Sequence, residues 1–184
     1  MSNNMSLQEQ GKLLLRYALH FGALLGLFWM LRYSFFIADT FSYHIFKYLY
    51  FLMDIGTMLL IYVFSVKYVM SDPQHPKNFW QCLLFVIAIC FFASFFEGVI
   101  LYAHYAFIDP SYFSKMTQPL IDHIRSMKNI FSMPQADFEN MMNVYITILS
   151  SKLTYVLALF ARNTLLGIAL GALMGFFLRP RKRV

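Results

Sequence analysis

The sequence predicts an all-α integral membrane protein. It reads as a bundle of four transmembrane helices with an extramembrane amphipathic helical hairpin between spans three and four. Three observations carry this. Of 184 residues, 59% are hydrophobic and 13% charged, where a soluble domain has about 45–50% and about 25%; the mean hydropathy is +0.56. Four apolar runs each reach the roughly 20 residues that a helix needs to cross a bilayer. Finally, the one long connection, 109–152, changes to an alternation of polar and apolar residues at helical spacing.

The spans fall at about 13–36, 46–69, 79–108 and 153–178, within a single membrane domain over 1–184. A helix satisfies its own backbone in lipid, so each run has one viable structure there. The first run is preceded by Lys12 and Arg16, as a signal peptide would be. It is too long for a signal h-region, and Phe36-Ile37-Ala38 lacks the small-x-small cleavage pattern, so we read it as a retained span. Asp39 and Thr40 are N-cap types before the second span. The segment Ser71-Asp72-Pro73-Gln74-His75-Pro76 is a tight turn. Pro180 ends the fourth span.

In the hairpin, Asp109-Pro110 reads as an N-cap followed by proline at the first helical position. Pro119 is expected to break or restart that helix, after which Leu120, Ile124, Met127 and Phe131 form the apolar face. Ser132 and Gln135 read as a capping-box pair. Phe138, Met141, Met142, Tyr145, Ile148 and Leu149 continue the period, and this stretch could run unbroken into the fourth span.

The net charge of +6 does not point to nucleic acid, because no soluble basic domain is present to bind it. Arg179, Arg181, Lys182 and Arg183 follow the last apolar run and read as a topology anchor beside an anionic leaflet. Lys12, Arg16, Lys67, Lys77 and this tail fall on one side. Arg32, Lys47, Lys115, Arg125, Lys128 and Lys152 fall on the other. The denser set places both termini in the cytoplasm and the hairpin outside.

Four ionisable residues interrupt the spans: Arg32, Asp54, Glu97 and Arg162. At about 1.5 Å per residue, all four fall in the outer half of a core about 30 Å thick. Charges in a bilayer pair or face water. The cluster reads either as a buried network that sets helix register or as a polar site for a substrate or proton. Glu97 and Arg162, at nearly equal depth, are the expected pair. Ala18, Gly22 and Gly26 form a small-residue stripe in the first span; Asn163, Gly167, Gly171 and Gly175 form one in the fourth. Such stripes let helix backbones approach closely. We expect the first and fourth spans to pack through them; the alternative is that one stripe faces a second copy, giving a homo-oligomer.

Cys82 and Cys90 lie about 12 Å apart along one helix, too far for a disulfide. His104, among Tyr102 and Tyr105, reads as a residue of the aromatic belt rather than a ligand. No metal-ligand spacing, nucleophile elbow, phosphate loop or dinucleotide fingerprint occurs, so no metal and no cofactor is expected.

The run Tyr105-Ala106-Phe107-Ile108-Asp109-Pro110-Ser111-Tyr112-Phe113 carries a resemblance, together with the glycine-bearing first span, the short second loop, the methionine-rich outer segment and the glycine-rich last span with its basic end. From about Tyr17 to Leu178 the chain resembles a bacterial membrane family catalogued as domain of unknown function 4199. The resemblance implies a four-span inner-membrane protein and supplies no activity or site residues. The functional expectation is a non-enzymatic scaffold or accessory module of the bacterial cell envelope. Its bilayer-embedded bundle would present the hairpin to a protein partner, because methionine-rich helix faces adapt to partners. The alternatives are a small transporter or permease subunit working around the charge cluster, and, least supported, an enzyme acting on a lipid-linked substrate.

Overall fold

A computed structural model describes residues 7–39, 45–73, 75–126 and 134–178. Its helices are α1 (Leu7–Asp39), α2 (Ile45–Met70), α3 (Phe79–Ala103), α4 (Pro110–Ser126), α5 (Gln135–Leu149) and α6 (Lys152–Leu178), with a π-helical turn at His104–Ile108 between α3 and α4. Four helical stretches are long and apolar enough to cross a membrane: Gln8–Ala38, Tyr48–Met70, Phe79–Ile108 and Lys152–Leu178. The chain divides into two compact units, Met1–Ile100 with Phe160–Val184, and Leu101–Leu159.

In the first unit, aromatic side chains join α1, α2 and α3. Phe21 stacks on Phe64 at 4.6 Å between ring centroids, and Tyr68 stacks on Phe85 at 4.3 Å. Each such pair contributes about 0.5–1.5 kcal/mol beyond its buried area. Leu25, Trp29, Ile61, Val86 and Ile89 complete the buried core. Apolar side chains gain little from leaving lipid, so close packing and polar contacts must supply much of the association.

The small-residue stripes do pack closely, but not on each other. A Cβ added at Gly22 would lie 2.7 Å from Phe92 Cβ and 3.2 Å from the Ile89 carbonyl oxygen; one at Gly26 would strike the Phe96 ring. From the other side, Gly167 meets Cys90 and Ile87, Gly171 meets Leu83, and Gly175 meets Phe79. The expectation that the first and fourth spans meet is therefore corrected: both stripes face α3. The reason is complementarity, since α3 carries the bulky Phe79, Leu83, Phe92 and Phe96 that fill the two glycine grooves. The rising numbers along the α1 contacts make α1 and α3 parallel, and the falling ones make α6 antiparallel to α3.

The α2–α3 turn is built around Asp72. Its carboxylate accepts the His75 backbone N–H at 3.3 Å, lies 2.9 Å from His75 Nδ1 and pairs with Lys77 Nζ at 3.7 Å. Lys77 is buried, with Nζ 5.8 Å from the Tyr68 ring centroid. Partial desolvation pushes the Asp72 carboxyl up, yet the hydrogen bond and charge of His75 and the charge of Lys77 outweigh it and hold the group below its ordinary value of 3.8. Asn78 and Gln81 then cap α3 reciprocally, each side chain accepting the other's backbone N–H at 2.9 Å. The N-x-x-Q spacing of this pair is itself a sequence signal for a helix start. Gln81 also donates to Gln10 Oε1 at 2.8 Å, tying α3 to the start of α1.

In the second unit, Asp109 caps α4 by accepting the Tyr112 N–H at 3.0 Å, with Pro110 as the first helical residue. Pro119 neither breaks nor restarts the helix, contrary to the expectation from sequence; α4 runs through it to Ser126. Lys115 and Pro119 are both exposed, so water can satisfy the carbonyl that a proline leaves unbonded. The buried face of α4 is Phe113, Thr117 and Ile121, whereas Leu120 is exposed. Thr117 can be buried because its hydroxyl donates to the Phe113 carbonyl at 3.0 Å. In α5, Pro134 is the N-cap and Gln135 Nε2 donates to Glu139 Oε1 at 2.6 Å; the expected capping box with Ser132 falls on a residue outside the described ones. The chain turns at Ser150–Ser151 rather than running on, and Ser151 Oγ accepts the Thr154 N–H to start α6. Thr40, Met127, Phe131 and the basic tail Arg179, Arg181, Lys182 and Arg183 also lie outside the described residues.

Two measurements of unfolding in mild detergent check these contacts. Gly22→Ala should cost about 1–3 kcal/mol, the usual range for overpacking. Gly11→Ala, on the same helix with nothing within 4 Å, should be neutral or stabilise by up to about 1 kcal/mol. Equal effects would remove the close approach to α3. At Asp72 the folded-state value is lowered, so its stabilisation is present above the unfolded value and is lost as pH falls through the folded one. The melting-temperature gap between parent and Asp72→Asn should therefore be widest near neutral pH and close below about pH 3.8. A gap independent of pH would contradict the assignment.

Candidate functional site

The candidate site lies within the first unit and is built on four helices. Arg32, from α1, is buried and shared between two carboxylates. Its Nη1 donates to Asp54 Oδ1 on α2, and its Nη2 donates to Glu97 Oε1 on α3 at 2.7 Å. A single planar guanidinium can hold two acids because its donors diverge in a fixed fork. The guanidinium carbon lies 5.2 Å from the Tyr50 ring centroid and 5.9 Å from that of Trp29. Trp29 itself donates to Thr57 Oγ1 at 3.2 Å, one helical turn from Asp54. Arg32 Nε has no hydrogen-bond partner among the described residues.

Glu97 is 2% exposed, and both its oxygens are taken. Oε1 accepts from Arg32, and Oε2 accepts from Asn163 Nδ2 on α6 at 2.8 Å. Asn163 also donates to Ser94 Oγ at 3.2 Å, and Ser94 in turn donates to the Cys90 carbonyl. Arg162 approaches Glu97 Oε1 only to 3.7 Å, with 62% of its side chain exposed, and hydrogen-bonds Asn163 Oδ1 at 3.3 Å. The Asp54 side chain is 43% exposed.

All four ionisable residues are thus brought together, but the expected partnership is corrected. The chief counterion of Glu97 is Arg32, with Arg162 at the edge. The α1 helix packs directly on α3 through Gly22 and Gly26, which sets Arg32 against Glu97. Meanwhile α6 presents the short Asn163, not Arg162, to the buried carboxylate. Asn163 had been read only as the first member of a small-residue stripe. Its amide was the available signal, because a polar side chain within an apolar run needs a partner.

Within the second unit, His104 is fully buried in the π-helical turn rather than at an aromatic surface belt. Its ring lies 5.1 Å from that of Tyr112 and 5.5 Å from that of Tyr105. Tyr105, Phe113 and Tyr155 pack together beside it. No group of three or more His, Cys, Asp or Glu suited to a metal ion occurs among the described residues.

Six helices, no strand among the described residues and four membrane-length apolar helices define a multi-pass α-helical membrane protein. Residues 16–180 match the family model described as "Protein of unknown function (DUF4199)", so the chain belongs to that family. No curated protein and no solved structure matches it.

A double-mutant cycle on detergent stability distinguishes the two arginines. Arg32→Gln should cost about 3–5 kcal/mol by leaving the buried Glu97 without its main counterion, Glu97→Gln should cost less because Arg32 keeps Asp54, and the double variant should recover much of the Arg32→Gln loss. The cycle between Glu97→Gln and Arg162→Gln should couple by less than about 1 kcal/mol, as for exposed pairs. Equal coupling in the two cycles would overturn Arg32 as the main counterion.

Proposed function

We propose that the protein is a non-enzymatic accessory or scaffold module of the bacterial cell envelope. In this reading it sits in the cytoplasmic membrane with both termini cytoplasmic, its charge network holds the spans in register, and its α4–α5 hairpin supplies the contact surface. The occupancy of Glu97 carries the reading. Glu97 is buried and each of its oxygens already accepts a hydrogen bond within the protein, which leaves a substrate or proton donor little access to it. Buried ionic groups that fix register are the best-attested structural use of such residues.

Among the described residues the exposed large apolar side chains of the hairpin include no methionine. Met142 is buried inside the second unit, while Val144, Tyr145 and Ile148 of α5 are exposed. Three apolar side chains within five residues, one of them an aromatic with a hydroxyl, suit a protein contact.

A second reading, a small transporter or permease subunit, is favoured by the exposed ends of the network at Asp54 and Arg162.

Complementation of a deletion strain separates the two, scored by resistance to envelope stress at matched protein abundance. For a scaffold, Arg32→Gln, Asp54→Asn, Glu97→Gln and Arg162→Gln introduced together should still complement, and Val144→Asp with Ile148→Asp should not. The reverse pattern would favour transport. For orientation, a reporter active only outside the cytoplasm should be silent when fused after Val184 and active when inserted near Gln118. The opposite pattern would invert the topology.

A further inference from the structure

The cytoplasmic assignment of the α1 start is a proposal, but the chemistry of that end stands independently of it. A cavity of about 920 Å³ opens along α1, at the upper end of ordinary ligand pockets. Among the described residues Lys12, Arg16 and His20 line it with Leu15 and Leu19 alongside, and the half-buried Leu13 and Tyr17 complete that lining. Lys12, Arg16 and His20 recur every four residues, so they form one ribbon down the helix; Leu15 and Leu19 lie next to it. These five are exposed. No carboxylate lines it among the described residues.

Like Lys67, Lys115 and Lys152, the two cations have no ion-pair partner among the described residues, whereas Arg32, Lys77, Arg125 and Arg162 each pair with an acid. Lys12 and Arg16 lie in the first turns of the membrane-length helical stretch Gln8–Ala38. From Lys12 to His20 is about 12 Å along the axis. That distance covers a headgroup layer of roughly 5–8 Å and the first turn of the hydrocarbon region. Two unpaired cations at headgroup level, an imidazole below them and leucines alongside match an amphiphile with an anionic head.

We propose that this groove binds one anionic phospholipid of the leaflet at the α1 start. Lys12 and Arg16 hold the phosphate, His20 lies at the glycerol level, and an acyl chain runs along Leu15 and Leu19. The occupant is a lipid rather than free phosphate, because the cavity lining continues past the cations into leucine.

The test uses the purified full-length chain in mild detergent. Dioleoylphosphatidylglycerol, dioleoylphosphatidylcholine and inorganic phosphate are added separately. Retained lipid is counted by native mass spectrometry, and thermal stability is followed in parallel. The anionic lipid should be retained about tenfold better than the zwitterionic one, as two interfacial cations warrant, and should raise the melting temperature. Inorganic phosphate should do neither. Lys12→Gln with Arg16→Gln should abolish the preference, and Lys12→Arg with Arg16→Lys should keep it. Lys67→Gln, which removes an exposed cation outside this lining, should leave the preference intact. If the neutral double variant does not fold, the single variants at these exposed positions should each reduce the preference. Equal retention of both lipids, stabilisation by phosphate alone, or an unchanged preference in the folded neutral variants would overturn the proposal.

Discussion

A cation buried among membrane-spanning helices must find its counter-charges within the reach of its own side chain, and Arg32 meets that requirement by drawing on two neighbours at once. Asp54 comes from α2 and Glu97 from α3, so one guanidinium holds three helices at a single level. Asn163 extends the same contact to α6. If any helix rotated or slid by a turn, it would leave a charge or an amide unpaired in a medium that cannot hydrate it. In the proposed reading the network therefore acts on register as much as on stability. That distinction matters because replacing a buried ion pair with apolar groups can leave stability unchanged.

The second constraint is how closely the backbones can approach. Glycines on α1 and α6 both admit the side chains of α3, so α3 lies between two glycine-bearing faces. Parallel packing of α1 on α3 brings Arg32 level with Glu97. Antiparallel packing of α6 brings Asn163 to the same carboxylate. Van der Waals packing and a polar network thus converge on one helix. The Gln10–Gln81 bond and the Asp72–Lys77 turn tie down its opposite end.

The second unit follows a different logic. Its helices are amphipathic, and its interior is aromatic: Tyr105, Phe113 and Tyr155 pack beside a buried His104. Thr117 is buried with its hydroxyl bonded to its own helix. The exposed apolar residues of α5 are left for something outside the chain, which is why the proposed contact surface is placed there.

Much of this was legible in the residues themselves. Four apolar runs determined four membrane-length helices, because a helix is the structure that satisfies a lone segment's backbone in lipid. Asp109-Pro110 determined where α4 starts, because a cap and a proline act within one turn. Arg32, Asp54, Glu97 and Arg162 stood out because charge is conspicuous in an apolar run. Tertiary structure decided which of them meet. Arg32 displaced Arg162 as the partner of Glu97, Asn163 proved to be a ligand of that carboxylate, and the glycine stripes turned to α3 instead of to each other. Local rules also misjudged Pro119, whose unbonded turn is exposed to water. The division has one physical cause. Helix formation and capping depend on neighbours within about four residues. Pairing between helices depends on which bulky face fills which groove, and that is a property of two surfaces together.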